Sequence, residues 1–411
     1  MSTLRRTLKV LLIVIGVLVV AAAALALYIQ IAGIPHYAVQ RIDLQIARTP
    51  ERVARGKKLV SILCVGCHFD PRTNRLSGHH LVDVPAKFGT VYSSNITQHR
   101  VKGIGAWSDG ELAFLLRTGI ARDGRYTPPW MIKLPHLADE DLHSIIAFLR
   151  SDDPLVAATD IEPEGLTRPS FLAKLLCRVA FKPLPYPKRP VETPSVADRV
   201  AYGRYLVIGL DCFGCHSASW ETMNTAEPER SNGYLGGGNQ LTTLRGKTIY
   251  SANITFDRDT GIGTWSEADL ARALREGFRP DHTPLRSPMA PMPQLTEDEI
   301  GAIYAYLRTV PTIRNAVRRS REVDELRADA SLGKRIYYKY ACVSCHGDDG
   351  THAADLRQAA QRFPTRAALR AWIEDAPRLK PGTRMPAWRG IIAEHEYEPL
   401  ISYVLALGSS R

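Results

Sequence analysis

Six of the seven cysteines fall in three copies of one pattern, Cys64-Val65-Gly66-Cys67-His68, Cys212-Phe213-Gly214-Cys215-His216 and Cys342-Val343-Ser344-Cys345-His346. Two thiols one helical turn apart can add to the two vinyl groups of a single porphyrin. The imidazole that follows the second thiol then lies under the ring and binds iron. The pattern therefore predicts three covalently bound haem c groups, held by Cys64 and Cys67, Cys212 and Cys215, and Cys342 and Cys345, with His68, His216 and His346 as proximal ligands. A zinc site would want a second Cys/His pair close to each motif, and a thioredoxin-like pair would need a βαβ context. The sequence supplies neither.

An internal repeat points to the ligands on the other side of the iron. Gly89-Thr90-Val91-Tyr92-Ser93-Ser94-Asn95-Ile96-Thr97 matches Lys247-Thr248-Ile249-Tyr250-Ser251-Ala252-Asn253-Ile254-Thr255, and Gly103-Ile104-Gly105-Ala106-Trp107-Ser108 matches Gly261-Ile262-Gly263-Thr264-Trp265-Ser266. Asn to Trp is 12 residues in both copies, and Trp to a methionine is 24, reaching Met131 and Met289. Met292 is a second candidate in the second copy, and the repeat register selects Met289. The third unit offers Met385, in Pro381-Gly382-Thr383-Arg384-Met385-Pro386. A thioether opposite histidine gives a six-coordinate electron-transfer haem of raised potential. Methionine as core filler is the competing reading. It is countered by the setting of each methionine, beside prolines in a polar loop. In the first unit His79, His80, His99 and His136 keep a bis-histidine site open.

Smaller features stay open on sequence alone. Asn95-Ile96-Thr97 and Asn253-Ile254-Thr255 match the glycosylation sequon, but their shared place in the repeat favours a turn or a role at the haem edge. Trp107 and Trp265 could donate to a haem propionate or simply be buried. His to Asn is 27 residues in the first unit and 37 in the second, and the excess falls near Asn232-Gly233-Tyr234-Leu235-Gly236-Gly237-Gly238, read as a flexible surface loop.

The elements that must position these residues also repeat. Val53–Val60, Val200–Val207 and Leu332–Tyr337 precede the three motifs, with Gly56, Gly203 and Gly333 standing 8, 9 and 9 residues before the first cysteine. Apolar residues at three- and four-residue steps make each a short amphipathic helix carrying the motif at its C-terminal end. Acidic starts at Asp139 and Glu297 open helices to Leu149 and Leu307, and Glu398–Leu407 plays this part in the third unit. Each unit is thus expected to be a small helical domain in which haem replaces core that about 100 residues would otherwise lack.

Val10–Ile29 carries no charge and follows Arg5, Arg6 and Lys9. About 20 apolar residues span a bilayer, and the preceding basic residues place the N-terminus in the cytoplasm. The alternative is a cleaved signal peptide with Ala24-Leu25-Ala26 as its site, although the run is longer than an ordinary h-region. Either way the rest is exported. The 53 basic and 42 acidic residues leave +11, with +5 in residues 313–411. No basic stripe interleaved with aromatics points to nucleic acid. Residues 151–195 form a proline-rich linker, semi-rigid and extended in part. It holds a possible short helix at Phe171–Phe181 and the odd cysteine, Cys177, as a reduced buried thiol. Residues 313–325 form a charged connector containing Arg318, Arg319 and Arg321.

The fold class expected is mainly α. One N-terminal transmembrane helix (residues 1–35) precedes three small helical class I cytochrome c domains (47–150, 196–312 and 326–411), with the linker at 151–195.

From about residue 47 to 312 the chain resembles the three-haem cytochrome c subunits of membrane-bound bacterial alcohol, aldehyde and gluconate dehydrogenases. The residues that carry the resemblance are Ala201-Tyr202-Gly203-Arg204-Tyr205-Leu206-Val207, the Cys-x-x-Cys-His motifs, Tyr250-Ser251-Ala252-Asn253-Ile254-Thr255, Thr260-Gly261-Ile262-Gly263-Thr264-Trp265 and Ala305-Tyr306-Leu307-Arg308. The third unit departs from this pattern and looks like a generic small cytochrome c. The Met131 loop also departs, reading Pro-Pro-Trp-Met, and an N-terminal anchor is not the rule in that family.

The apolar N-terminal run is read as an anchor in the bacterial inner membrane that leaves the haem domains in the periplasm, and the resemblance implies an electron-carrying cytochrome. It would pass electrons from a catalytic subunit (flavin, quinoprotein or molybdenum type) to quinone or a terminal oxidase, with no substrate chemistry of its own. The rival expectations are a relay of a terminal oxidase or reductase, and a haem enzyme such as a peroxidase using His79 or His352.

Overall fold

The uncharged run after Lys9 becomes one long helix, α1 (Ser2–Ala32), most of whose described apolar side chains are exposed, with Ile29 buried. Its Arg6–Ala32 stretch is long and apolar enough to cross a membrane, as either an anchor or a signal sequence would be. The rest of this computed structural model is mainly helical. It describes residues 2–243, 245–318, 326–352, 355–380, 383 and 385–408. The connector residues 319–325, with Arg319 and Arg321, and Pro381, Gly382 and Arg384 of the third methionine loop lie outside the described residues.

Three sets of helices follow α1. The first is α2 (Pro50–Leu63), α3 (Val65–His68), α4 (Asp109–Thr118) and α5 (Asp139–Leu149), followed by the linker helix α6 (Phe171–Val179). The second is α7 (Arg199–Gly209), α8 (Cys212–His216), α9 (Glu267–Ala271, widening into a π turn over Arg272–Glu276) and α10 (Glu297–Leu307). The third is α11 (Leu332–Lys339), α12 (Cys342–His346), α13 (Ala359–Arg362), α14 (Arg366–Leu379) and α15 (Glu394–Ala406). Local chemistry sets these limits. Thr49 caps α2 with Pro50 at its first position. Ser108 with Glu111, Ser266 with Asp269 and Thr296 with Glu299 form reciprocal capping boxes at α4, α9 and α10. The last helix begins at Glu394 rather than Glu398, because Pro399 sits inside it without ending it.

In each set the first long helix crosses the last: α2 on α5, α7 on α10, α11 on α15. The upstream glycines make these crossings possible. A Cβ on Gly56 would stand 1.8 Å from the Ser144 carbonyl oxygen, one on Gly203 1.9 Å from that of Ala302, and one on Gly333 2.2 Å from that of Pro399. Gly203→Ala must therefore push α10 off α7. Overpacking costs about 1–3 kcal/mol, and the obstacle here is backbone, so the upper end is expected, read as a fall in denaturant midpoint.

The first two sets are not separate beads. One buried cluster joins Leu59, Val60, Leu137 and Ile145 to Leu206, Ile208, Ile300 and Ile303. A charged cluster locks the same face. Arg55 donates to both oxygens of Asp141 at 2.7 and 2.8 Å and to Glu299 at 3.0 Å. Lys58 also donates to Glu299, and the Tyr205 hydroxyl donates to Asp141 at 2.5 Å. The third set has its own cluster, entered by Phe278 from the second.

One sequence expectation changes here. The segment Asn232–Gly238 is not a flexible surface loop. Leu235 is fully buried, and Gly237, at φ +69°, lets the chain pass where a Cβ would meet the Ala252 carbonyl carbon at 2.4 Å. The glycines serve close approach. Gly78 and Gly237 donate to the carbonyls of His68 and His216, yet lie 10 and 21 residues beyond them. The extra length therefore precedes Leu235 and holds Trp220, whose ring packs 5.1 Å from Phe88 and 5.9 Å from Phe181. The linker lies along the first set. Its strand β2 (Arg168–Pro169) pairs antiparallel with β1 (Gly89–Thr90), and α6 carries the fully buried Cys177, whose thiol burial pushes up to about 11. A hairpin in the second set, β3 (Gln240–Thr242) with β4 (Thr248–Tyr250), completes the strands among the described residues.

Candidate haem sites

Each motif forms a short helix of its own after a break in the preceding one. In α3 the Cys67 and His68 amides donate to the Cys64 carbonyl at 3.1 and 2.9 Å, so one turn separates the two thiols. The longer spacing in the other two units is taken up by one residue in the left-handed region, Asp211 at φ +59° and Ala341 at φ +51°. Burial pushes the Cys64, Cys212 and Cys342 thiols up to about 12 and the Asp211 carboxyl up to about 7.

The first two imidazoles are held identically. His68 Nδ1 lies 2.8 Å from the Ser94 carbonyl and His216 Nδ1 lies 2.8 Å from the Ala252 carbonyl. A carbonyl on Nδ1 fixes the tautomer and leaves Nε2 as the ligand atom. Burial holds both imidazoles below their ordinary pKa, hence neutral and able to bind metal. The next residues explain the repeated Asn-Ile-Thr. Asn95 Oδ1 accepts from the Thr97 amide and hydroxyl at 2.8 and 2.7 Å, and Asn253 Oδ1 accepts from those of Thr255 at 3.0 and 2.7 Å. Both asparagines are buried and their amides donate to backbone carbonyls, so they are turn residues. Trp107 and Trp265 are half-buried against the shared core.

The methionine loops superimpose bond for bond. The Met131 amide donates to the Pro128 carbonyl and the Met289 amide to that of Arg286, at 3.1 and 2.9 Å. The Leu134 amide donates to the Leu116 carbonyl at 2.8 Å, and the equivalent bond runs from Met292 to Leu274 at 2.6 Å. Met292 therefore takes the place of the buried Leu134 and packs against the core, while Met289 takes the place of Met131. The first loop has a brace of its own. Lys133 Nζ donates to the Pro128 and Met131 carbonyls, both at 2.8 Å, and burial takes its ammonium down to about 7. Met385 is half-buried against the third cluster, beside Trp388.

The other histidines divide. His99 accepts from the Val101 and Lys102 amides at 3.3 and 3.0 Å, and His136 Nε2 meets the Thr225 carbonyl at 2.9 Å. The His80 ring packs 4.9 Å from Tyr92. His79 and His352 stand on the motif side. Ser93 Oγ accepts from the His79 amide and donates to the Cys67 carbonyl, and the His352 amide donates to the His346 carbonyl. Among the described residues no group of three or more His, Cys, Asp or Glu side chains is placed to hold a bare metal ion. Thiols one turn apart beside a neutral, carbonyl-held imidazole fit a covalent haem.

These motif helices define a c-type cytochrome. Residues 328–404 match the sequence family described as cytochrome c oxidase, cbb3-type, subunit III. Over 87% of its length the chain is 28% identical to the alcohol dehydrogenase (quinone) cytochrome c subunit of Gluconobacter oxydans, spanning 73% of that protein. It is 29% identical to the fructose dehydrogenase cytochrome subunit of Gluconobacter japonicus, over 74% of this chain and 65% of that one. A third relative, a nicotinate dehydrogenase subunit of Pseudomonas putida, is 30% identical over 69% of this chain but only 23% of its own length. The chain is thus a cytochrome c similar over most of its length to the cytochrome c subunits of bacterial membrane dehydrogenases, with the electron-transfer role this implies.

Sequence reasoning missed the Arg55–Glu299 cluster, the Lys133 brace and the Phe278–Trp388 contact. No local pattern signals any of the three.

Proposed function

We propose that the chain is a tri-haem relay, anchored by α1 with its haem domains in the periplasm. It carries electrons from a partner dehydrogenase to quinone or a terminal oxidase. Three domains (47–150, 196–312 and 326–411) each hold one haem c, on Cys64, Cys67, His68 and Met131; on Cys212, Cys215, His216 and Met289; and on Cys342, Cys345, His346 and Met385. For the first two units the reading is carried by the repeated imidazole-to-carbonyl bond behind matched Cys-x-x-Cys-His helices and matched methionine loops, and the third unit is included because it has the same motif helix, Cys342–His346. When bound, haem iron supplies a one-electron Fe(III)/Fe(II) couple.

The protein's own residues set orientation and sequence. Lys133–Leu137 of the first methionine loop line one small cavity with Ile208, Gly209 and Asp211, which lead into the second motif, and Phe213 within it. Phe278 follows α9 and packs edge-on at 5.1 Å to Trp388, which packs at 5.8 Å to Tyr340, two residues before the third motif. This supports a linear order of first, second and third haem.

The partner is expected to oxidise a small organic substrate, as the alcohol and fructose dehydrogenases do. The nicotinate dehydrogenase relative supports a partner that oxidises nicotinate or a similar aromatic acid as a second reading. The match of residues 328–404 is the observation that favours an oxidase relay instead. Purification of the tagged chain in mild detergent decides between these. A co-purifying dehydrogenase subunit whose substrate reduces the haems is expected, and a copper-containing oxidase subunit in its place would contradict the proposal.

A further inference from the structure

The linker helix α6 has two apolar faces. Ala173 and Cys177 are fully buried, whereas Phe171, Leu172 and Val179 are 41%, 39% and 65% exposed. Leu172, Leu175 and Val179 recur at three- and four-residue steps, so the outward face is one continuous stripe. Single exposed apolar residues are ordinary, but a stripe on one helix face needs a partner.

The neighbour of α6 identifies that partner. Lys174 Nζ donates to the Gln30 carbonyl at 3.3 Å, and Arg178 donates to the Gly33 carbonyl at 3.0 Å. The Arg178 guanidinium also lies 5.1 Å over the Tyr28 ring. Ile29 is the one residue of α1 that is buried, among those whose side chains are described. These contacts pin α6 to the C-terminal end of α1. A span of about 20 residues starting at Val10 ends there. Tyrosine is a typical residue of that depth. Charge agrees, since residues 165–191 hold Arg168, Lys174, Arg178, Lys182, Lys188 and Arg189 and no acidic residue. A short helix with an outward apolar face and basic flanks is the pattern of an element lying in the plane of an anionic membrane surface.

We propose that α6 is a second membrane contact, lying in the interface beside the exit of α1, with Phe171, Leu172, Leu175 and Val179 in lipid and the exposed flanking side chains of Arg168, Lys188 and Arg189 at anionic headgroups. It sets the height of the first haem unit over the bilayer, because β2, immediately before it, is hydrogen-bonded to β1. The proposal rests on α1 being retained as an anchor.

The test uses the full chain, reconstituted in phosphatidylcholine–phosphatidylglycerol vesicles. Leu172→Cys and Val179→Cys, both at exposed positions and so expected to fold, carry a nitroxide, and Val196→Cys, at a position 68% exposed in the wild-type chain, is the water-facing control. The ratio of relaxation by oxygen to relaxation by a water-soluble nickel chelate should shift in favour of oxygen at Leu172 and Val179, and not at Val196. Nickel access at Leu172 equal to that at Val196 overturns the proposal while leaving the anchor intact. Protection from both reagents would mean a protein covers the stripe, and also overturns it. Intact mass reports separately whether α1 is present, and a chain that has lost α1 overturns both readings.

Discussion

Met289→Ala lowers the potential of the second haem by roughly 0.1–0.3 V, a part of the roughly 0.8 V over which axial ligands move haem potentials. It also opens that iron to carbon monoxide. The porphyrin stays attached, because Cys212 and Cys215 are untouched. Met292→Ala leaves potential and ligand access where they were, and costs stability instead. The difference follows from the two loops. Met289 stands where Met131 stands, among half-buried loop residues, whereas the Met292 amide makes the bond made by the buried Leu134. A spectroelectrochemical titration of both variants checks this. A lowered potential in Met292→Ala with a normal Met289→Ala would show that the repeat register misassigns the ligand.

The second large effect is expected at Glu299→Gln, which destabilises the paired first and second units by roughly 3 kcal/mol. Breaking a buried ion pair from one side costs roughly 3–5 kcal/mol, and Arg55 and Lys58 keep partial contact with water, which favours the low end. Glutamine still closes the cap with Thr296, so the loss reports charge rather than helix start. Burial alone would raise the Glu299 carboxyl, but bonds from Lys58 and the Thr296 amide, with the charge of Lys58, hold it below the ordinary carboxylate value.

A group depressed in the folded state contributes above its unfolded pKa, about 4.3 for glutamate, and loses that contribution as pH falls through the folded value. The gap between wild type and variant should therefore be full at pH 7 and shrink below about pH 4. Denaturant titration read at the haem absorption band, repeated across this range, would detect a pH-independent gap, which contradicts the account. Because the cluster joins α2 to α10, loosened coupling between the first two haems should accompany the loss.

What could be read from the sequence was local and repeated. The cysteine motifs, the upstream glycines and the 24-residue Trp-to-Met step are short-range patterns, and the structure puts matching backbone bonds around them. What could not be read were contacts between residues far apart in the chain. Arg55 meets Glu299 across 244 positions, and Trp220 reaches back to Phe88. Neither charge nor aromaticity announces its partner. Glycines misled for a different reason. Asn232–Gly238 has the composition of a mobile loop, but Gly237 is there because the chain must pass against Ala252 under the second motif. The last helix starts at Glu394, four residues before the expected Glu398, and the one amide donor that Pro399 lacks near the start of α15 is compatible with helix.

The central claim is that one chain holds three haems in series. Its most direct test is the haem-to-polypeptide ratio of the purified chain, taken by pyridine haemochrome absorbance and by intact mass after denaturation. Three covalent haems per chain, falling to two in Cys212→Ser/Cys215→Ser, is the expected result. A chain carrying one or two haems in the wild type, or haem released on denaturation, would contradict it.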